Sequence, residues 1–481
     1  MLARSREKFV QQCNKRRAPQ KVTSTRNNES RSGAASTMTQ DRKLAVVFVL
    51  WTLYMLASSL TAPLMPYLWG ALNGTTHGYG IMMSESGALQ LVGSLLSGPL
   101  IDRFGPKLWL GVSLAALSLS CAVTGLASAT WMMYVSRLPA ILELGPLSTR
   151  ALIAERTSDQ DRVRMLGYVG ACMGAAFAVG PTLGGWLTQR SYRLCAWSAA
   201  ALAFLGFAAI PLIPPGARTR SQRQVDGASS VLLPDPVTLQ VAAEASAATS
   251  AVAARAASIE PAGSLVGSRD MREDSEEIMQ SQVHDRWTAI RHMWITFCLP
   301  GVRSLTMIKV LVGFPLSMMQ TTLSLLLQKH YQLAPEANGY VMSWFGILFV
   351  LVQSLAVGPI SKRLSVQQVM LAFGWGGVLS FAGLALCGFS IWAFVAAMAP
   401  LVLCALLLET VTTAQLTKVV PSESQGTVLA IEASMFGACT TVAPSVATWL
   451  FEQIGFSSLG VAGSTTYFVM VCLVYLGVLK C

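Results

Sequence analysis

Among the charged side chains that fall within long apolar runs of this chain, five are site candidates: Arg137, Glu143, Lys309, Glu409 and Glu432. Placing one such charge at the centre of a bilayer costs ~2.5 kcal/mol or more, so each marks a candidate site. Lys309, Glu409 and Glu432 all lie roughly two turns from the same-side ends of their runs. At that shared depth Lys309 can pair with Glu432 or with Glu409, and such a pair would be a gate or a structural bridge. A carboxylate left without a partner could instead take up and release a proton. Glu143 sits nearest the middle of its run and is the favoured residue for proton or cation coupling. Ser136, Glu143 and Arg150 recur at two-turn spacing and share one face of a continuous helix; Arg137 stands off that face. Gln90, Gln320 and Gln353 are uncharged candidates for lining a cavity. Trp51 and Tyr54 could offer aromatic faces to a cation.

Other chemistries lack their residues. The four histidines (His77, His284, His292, His330) fall in loops or at run ends rather than on one helix face. There is no phosphate-binding glycine loop and no Gly-x-Ser-x-Gly. The ten cysteines are scattered, and most lie inside apolar runs (Cys121, Cys172, Cys387, Cys404, Cys439, Cys472). No metal, no cofactor and no enzymatic activity is expected.

The elements that must hold the charges are membrane helices. The chain is 53% hydrophobic and 12% charged, against about 25% charged in soluble domains. A span needs ~20 apolar residues, and about twelve such runs can be read. They are 44–68, 84–101, 108–128, 131–154, 163–187, 194–213, 302–327, 340–359, 366–388, 391–416, 427–451 and 459–479. The expected fold is therefore all-α and integral to the membrane, with a bundle over 44–213 and a second over 300–481. Residues 1–43 read as a disordered basic cytosolic tail and 214–285 as a disordered linker. Trp287, Ile290, Met293, Trp294 and Phe297 recur at helical spacing, which predicts an interfacial helix over 286–299.

The net charge of +11 does not point to nucleic acid. Basic residues collect in the tail and in the loops at 103–107, 156–164, 218–223, 362–363 and Lys418. These share one side if both termini are cytosolic, as the positive-inside rule requires; Arg190, Arg193 and Lys329 are exceptions.

Two further segments carry the organisation. Gly98, Asp102, Arg103, Gly105 and Lys107 form a tight charged turn between the second and third runs. Gly174, Gly180, Pro181, Gly184 and Gly185 place small residues at one-turn spacing in the fifth, where backbones can touch and Pro181 bends the helix. Both recur in the second half. Gly98-Pro99 to Phe104 aligns without gaps on Gly358-Pro359 to Leu364, and Gly180-Pro181 to Leu187 on Ala443-Pro444 to Leu450.

This turn resembles the loop 2–3 signature of the major facilitator superfamily, with Pro106 where an Arg is usual. The Gly174–Gly185 run is similar to that superfamily's helix-five antiporter motif. Ser136-Arg137-Leu138-Pro139-Ala140, Leu299-Pro300-Gly301-Val302-Arg303 and Gly339-Tyr340 to Gly346 resemble its tetracycline-transporter-like and organic-cation-transporter-like members. The resemblance implies two pseudo-symmetric six-helix bundles and a monomer working by alternating access. It also implies exchange of protons for organic cations or lipophilic drug-like molecules. A facilitator or symporter of another solute, and a non-transporting sensor or scaffold, stay open beside it.

Overall fold

The computed structural model describes residues 44–157, 159–213, 297, 300–356, 359–360, 363–419 and 425–477. The expectations for the tail, the linker and, Phe297 apart, the interfacial helix lie outside them. Among the described residues there is no strand. Among the described residues eight helical rods are long and apolar enough to cross a membrane. Four more bring the described helices to twelve, in two pseudo-symmetric bundles.

The first bundle holds α1 (Leu44–Ala71, with a turn at 61–63), α2 (Thr76–Phe104) and α3 (Pro106–Leu126). It continues through a two-part α4, α5 (Asp159–Arg190) and α6 (Tyr192–Ala208). The second holds α7 (Pro300–Lys329), α8 (Pro335–Leu351), α9 (Val366–Leu386), α10 (Ile391–Val419), α11 (Gln425–Gln453) and α12 (Ser457–Tyr475). α8 ends in a π-helical turn, Val352–Ala356.

Local chemistry sets several ends. Thr75 caps α2, its hydroxyl accepting from the Gly78 N–H at 3.1 Å, so α2 begins well before the apolar run at 84. Glu85 therefore lies inside the helix. At the other end Gly98, Asp102 and Arg103 remain helical, and the turn to α3 is the single residue Gly105, with φ +83°. That left-handed conformation suits glycine, and Pro106 starts α3 without needing an N–H partner. Lys107 reaches the carbonyl of Ile213, just past the end of α6.

The fourth run is not one helix. It divides into α4a (Thr130–Arg137), a 3-10 turn (Leu138–Leu142) and α4b (Gly145–Arg156). Pro139 removes an N–H and disfavours helix at the residue before it; Pro146 restarts the chain in the first turn of α4b. Glu143 sits in the break with φ −78° and ψ 62°. The common face expected for Ser136, Glu143 and Arg150 presumed an unbroken helix and is withdrawn. Neighbours satisfy carbonyls along this stretch, as membrane interiors demand. Ser120 Oγ donates to Ser136 O at 2.8 Å and Ser113 Oγ to Leu142 O at 3.1 Å.

Apolar packing holds the second bundle together around Leu305, Met319, Phe381, Phe394, Tyr467 and Met470. α9 and α12 meet through small residues: a Cβ on Gly377 would lie 2.2 Å from the Tyr467 ring.

Candidate functional site

Two helix pairs join the bundles at the end remote from Gly105. In the first, α5 lies against α8. Pro181 cannot donate, and the next N–H, of Thr182, leaves the helix to bond Ser343 Oγ at 2.9 Å. The Thr182 hydroxyl donates to the same oxygen at 2.8 Å. In the second pair α11 lies against α2, and the pattern repeats. The Ser445 N–H, following Pro444, donates to Ser84 Oγ at 3.2 Å, and the two hydroxyls share a hydrogen bond of 2.7 Å.

Backbone contact in these pairs needs glycine. A Cβ on Gly339 would stand 2.3 Å from Pro181 O, and one on Gly185 2.4 Å from Pro335 O. A Cβ on Gly80 would stand 1.9 Å from Thr448 Oγ1 and 2.7 Å from Pro444 O. The other glycines singled out in α5 divide their work. Gly180 and Gly184 face Ser59 and Leu60 of α1, and Gly174 faces Val350. Earlier in α5, a Cβ on Gly167 or Gly170 would meet nothing within 4 Å. A buried amide adds a tie that sequence reading missed. Asn338 Nδ2 donates to Ser324 O at 2.8 Å and to Tyr67 Oη at 3.2 Å, while Tyr67 donates to Leu333 O at 2.6 Å. An Asn inside a glycine-rich helix start was its only signal.

Towards the Gly105 end lies a cavity of about 340 Å³, lined from α7, α10, α11 and, from the first bundle, by Arg150 of α4b. Lys309 Nζ donates to the Glu432 carboxylate and to Thr413 Oγ1 at 2.5 Å. Thr413 in turn lies 3.1 Å from Glu432 Oε1. Of the two partners open to Lys309, the structure thus takes Glu432. Lys309 and Glu432 are only 11% and 21% exposed, and a pair removed from water holds only when further hydrogen bonds support it. Thr413 supplies that support. Glu409 is exposed and lines the same cavity, with no ion pair among the described residues. Two buried oxygens on the cavity wall, Thr306 Oγ1 and Glu432 Oε2, have no protein partner among the described residues.

A second charged group surrounds the break in α4. Arg137 Nη2 donates to Thr124 Oγ1 at 2.9 Å and Nε to Ser136 Oγ at 3.2 Å. Among the described residues no ion pair joins it to Glu143. Its charge reaches both Glu143 and Glu85 of α2, and Glu85 Oε2 is buried without a partner among the described residues. Glu85 was missed because the helix was started too late; Thr75 ahead of it was the available cue.

Two expectations change. Trp51 and Tyr54 are buried, stacked on each other at 5.8 Å, with Trp51 Nε1 donating to Val169 O. The Tyr54 ring covers Gly145, where a Cβ would lie 2.8 Å away; neither aromatic faces the cavity. Gln90, Gln320 and Gln353 are exposed, but none lines the cavity. In the charged turn the side chains of Asp102 and Arg103 lie outside the described residues, while Gly105 makes the turn and Lys107 reaches the Ile213 carbonyl.

The architecture matches known proteins. Rat solute carrier family 22 member 18 (Rattus norvegicus) is 26% identical over 431 residues, covering 87% of this chain and 89% of its own. Multidrug resistance protein 1 of Bacillus subtilis is 29% identical over 175 residues, covering 34% of this chain and 44% of its own. Among solved structures, the human organic anion transporter MFSD10 (TETRAN) superposes with a TM-score of 0.58 at 19% identity, over 90% of this chain and 99% of its own. The family model described as the Major Facilitator Superfamily matches residues 47–304 and 305–480. With that match spanning both bundles, the chain belongs to the Major Facilitator Superfamily, a family of membrane transporters.

Proposed function

We propose that this transporter is a proton-coupled antiporter that exports small organic cations or lipophilic molecules from the cytosol by alternating access. One observation carries the reading: both helix pairs are closed at one end, while a cavity containing charges lies towards the other. With both termini cytosolic, the Gly105 turn and the cavity face the cytosol and the clamps seal the far side.

Roles follow from position. Gly98, Asp102, Arg103, Gly105 and Lys107 steady the cytosolic ends of α2 and α3. Gly174, Gly180, Pro181, Gly184 and Gly185 make α5 a close-packing surface against α1 and α8. Glu143, in the break of α4 beside Arg137, takes the coupling proton; the break frees its backbone from the helix and so lets the carboxylate move. Lys309 and Glu432 form a bridge that shapes the cavity, and Glu409 offers negative charge to a cation. Relatives bearing names such as multidrug resistance protein support export. The solved neighbour named as an organic anion transporter pulls towards the opposite charge, so the sign rests here on Glu409. The working unit is a monomer in lipid, using a proton gradient and no cofactor.

The test is efflux of a fluorescent organic cation from proteoliposomes, with and without an imposed pH gradient, for the intact protein and Glu143→Gln. Gradient-driven movement lost in the variant supports antiport coupled at Glu143. Movement indifferent to pH would make the protein a facilitator. Transport that survives in Glu143→Gln but fails in Lys309 or Glu432 variants moves the coupling site to the second bundle.

A further inference from the structure

We infer that the cavity is built for amphoteric molecules, small apolar-bodied compounds carrying both a cationic and an anionic group, with Glu409 holding the first and Arg150 the second. This rests on reading the cavity as the substrate site. Four charged side chains line it: Arg150, Lys309, Glu409 and Glu432. Lys309 is paired with Glu432 Oε1, and Thr413 bonds both. That leaves one guanidinium and one carboxylate, both exposed and neither in an ion pair among the described residues.

These two come from different bundles, Arg150 from α4b and Glu409 from α10. Closing the cavity around a ligand removes both from water. A charge buried without a partner is strongly unfavourable. A ligand with a single positive charge would answer Glu409 and leave Arg150 stranded; a single negative charge would do the reverse. A molecule bearing both compensates both walls and bridges the bundles, which favours closure only when it is bound. Arg150 adds geometric selectivity, since a guanidinium grips a carboxylate or phosphate with two parallel hydrogen bonds. Leu316, Met435, Phe436 and Cys439 give the remaining wall an apolar character suited to an aromatic or aliphatic body. Thr306 Oγ1, on a residue 2% exposed, and Glu432 Oε2 are unpartnered polar atoms in the same wall. A ligand's own donors and acceptors would satisfy them.

A matched trio of probes tests this: tryptophan (both charges), tryptamine (cation only) and indole-3-propionate (anion only). Binding to the full chain in nanodiscs is measured by equilibrium dialysis without any gradient, so the result does not depend on proton coupling. Tryptophan is expected to bind at least about tenfold tighter than either singly charged probe. Arg150→Gln should remove its advantage over tryptamine while leaving tryptamine unchanged. Glu409→Gln should remove its advantage over indole-3-propionate and leave that probe unchanged. Thermal unfolding of each variant checks that it is folded. Equal binding of tryptophan and tryptamine overturns the inference yet leaves the organic-cation reading standing. Equal weakening of all three probes by both variants also overturns it, making Arg150 and Glu409 a closing pair for each other. Failure of all three probes on folded protein counts against the cavity as a substrate site and takes both readings down together.

Discussion

The α5–α8 and α2–α11 clamps make the same contact from different residues. Each sets a proline, a following N–H and a Ser or Thr hydroxyl against a serine of the opposing helix. Yet α5–α8 sets glycine against partner backbone from both sides, Gly185 against Pro335 and Gly339 against Pro181, whereas at α2–α11 the glycines against partner backbone, Gly80 and Gly87, are both on α2, and Gly437 of α11 meets only the Leu91 side chain. Ala443, Ala447 and Thr448 occupy the matching places on α11, and all three are fully buried. Backbone approach needs only one side of a contact to be small. A repeated sequence can therefore drift without losing the contact, provided its partner carries the glycine.

The comparison breaks most readily at Gly339. The nearest obstacle to a Cβ there is the Pro181 carbonyl, which is backbone and cannot rotate away. Gly339→Ala is expected to cost about 2 kcal/mol, within the usual range for overpacking, and to expose the clamped end. Maleimide labelling of a cysteine placed on α8 facing α5 measures that exposure, and no second-site change in α5 should reverse it. Gly80→Ala meets the Thr448 hydroxyl first. Its effect should be smaller, and Thr448→Gly should restore part of the loss of thermal stability. If the two glycine variants respond alike to rescue, the distinction between backbone and side-chain obstacles is wrong.

The hydroxyls sharpen the comparison on a finer scale. Hydrogen bonds inside membrane proteins are worth about 0.6 kcal/mol on average. Ser343→Ala should cost more than Ser84→Ala, because the Thr182 N–H sits at 2.9 Å and the Ser445 N–H at 3.2 Å. Thermal unfolding in nanodiscs should rank them in that order; the reverse ranking would place the stronger clamp at α2–α11. Smallest of all, Gly167→Ala and Gly170→Ala should leave stability and labelling unchanged, since the added Cβ has open space at both positions. A measurable loss at either would mean that α5 packs along its whole length in another conformation.

The closed end and the cavity also differ in how far they could be read in advance. The Gly-Pro repeat in the fifth and eleventh runs was legible because glycine and proline act through the backbone of their own helix. Ser84, Ser343 and Asn338 were not, because a serine or asparagine in an apolar run has no meaning until a partner from a distant run stands opposite. In the cavity, Lys309, Glu409 and Glu432 were conspicuous as charges, yet which carboxylate would meet the lysine was open. Glu85 was passed over, and Arg150 was placed on a helix face with Ser136 and Glu143 rather than on a cavity wall. An N-cap hidden in a polar stretch started α2 early, and Arg150 sits on a short helix whose direction depends on the break before it.

By itself the sequence determined that this is an all-α membrane protein with a repeated design. Those properties follow from composition, run length and local backbone chemistry, which need no knowledge of neighbours. It also determined the turn at Gly105, where a left-handed residue followed by proline admits little else. Tertiary structure alone decided that the break between Pro139 and Pro146 is accommodated by Ser113 of α3, whose hydroxyl donates to Leu142 O. It decided that α11 rather than α10 presents its carboxylate to Lys309, and that Arg150 and Glu409 share a cavity from opposite bundles. The physical reason is common to all of these: a charge or a freed carbonyl inside a membrane must find its partner across a helix interface, and the rotation of each helix about its axis, set by packing, chooses that partner.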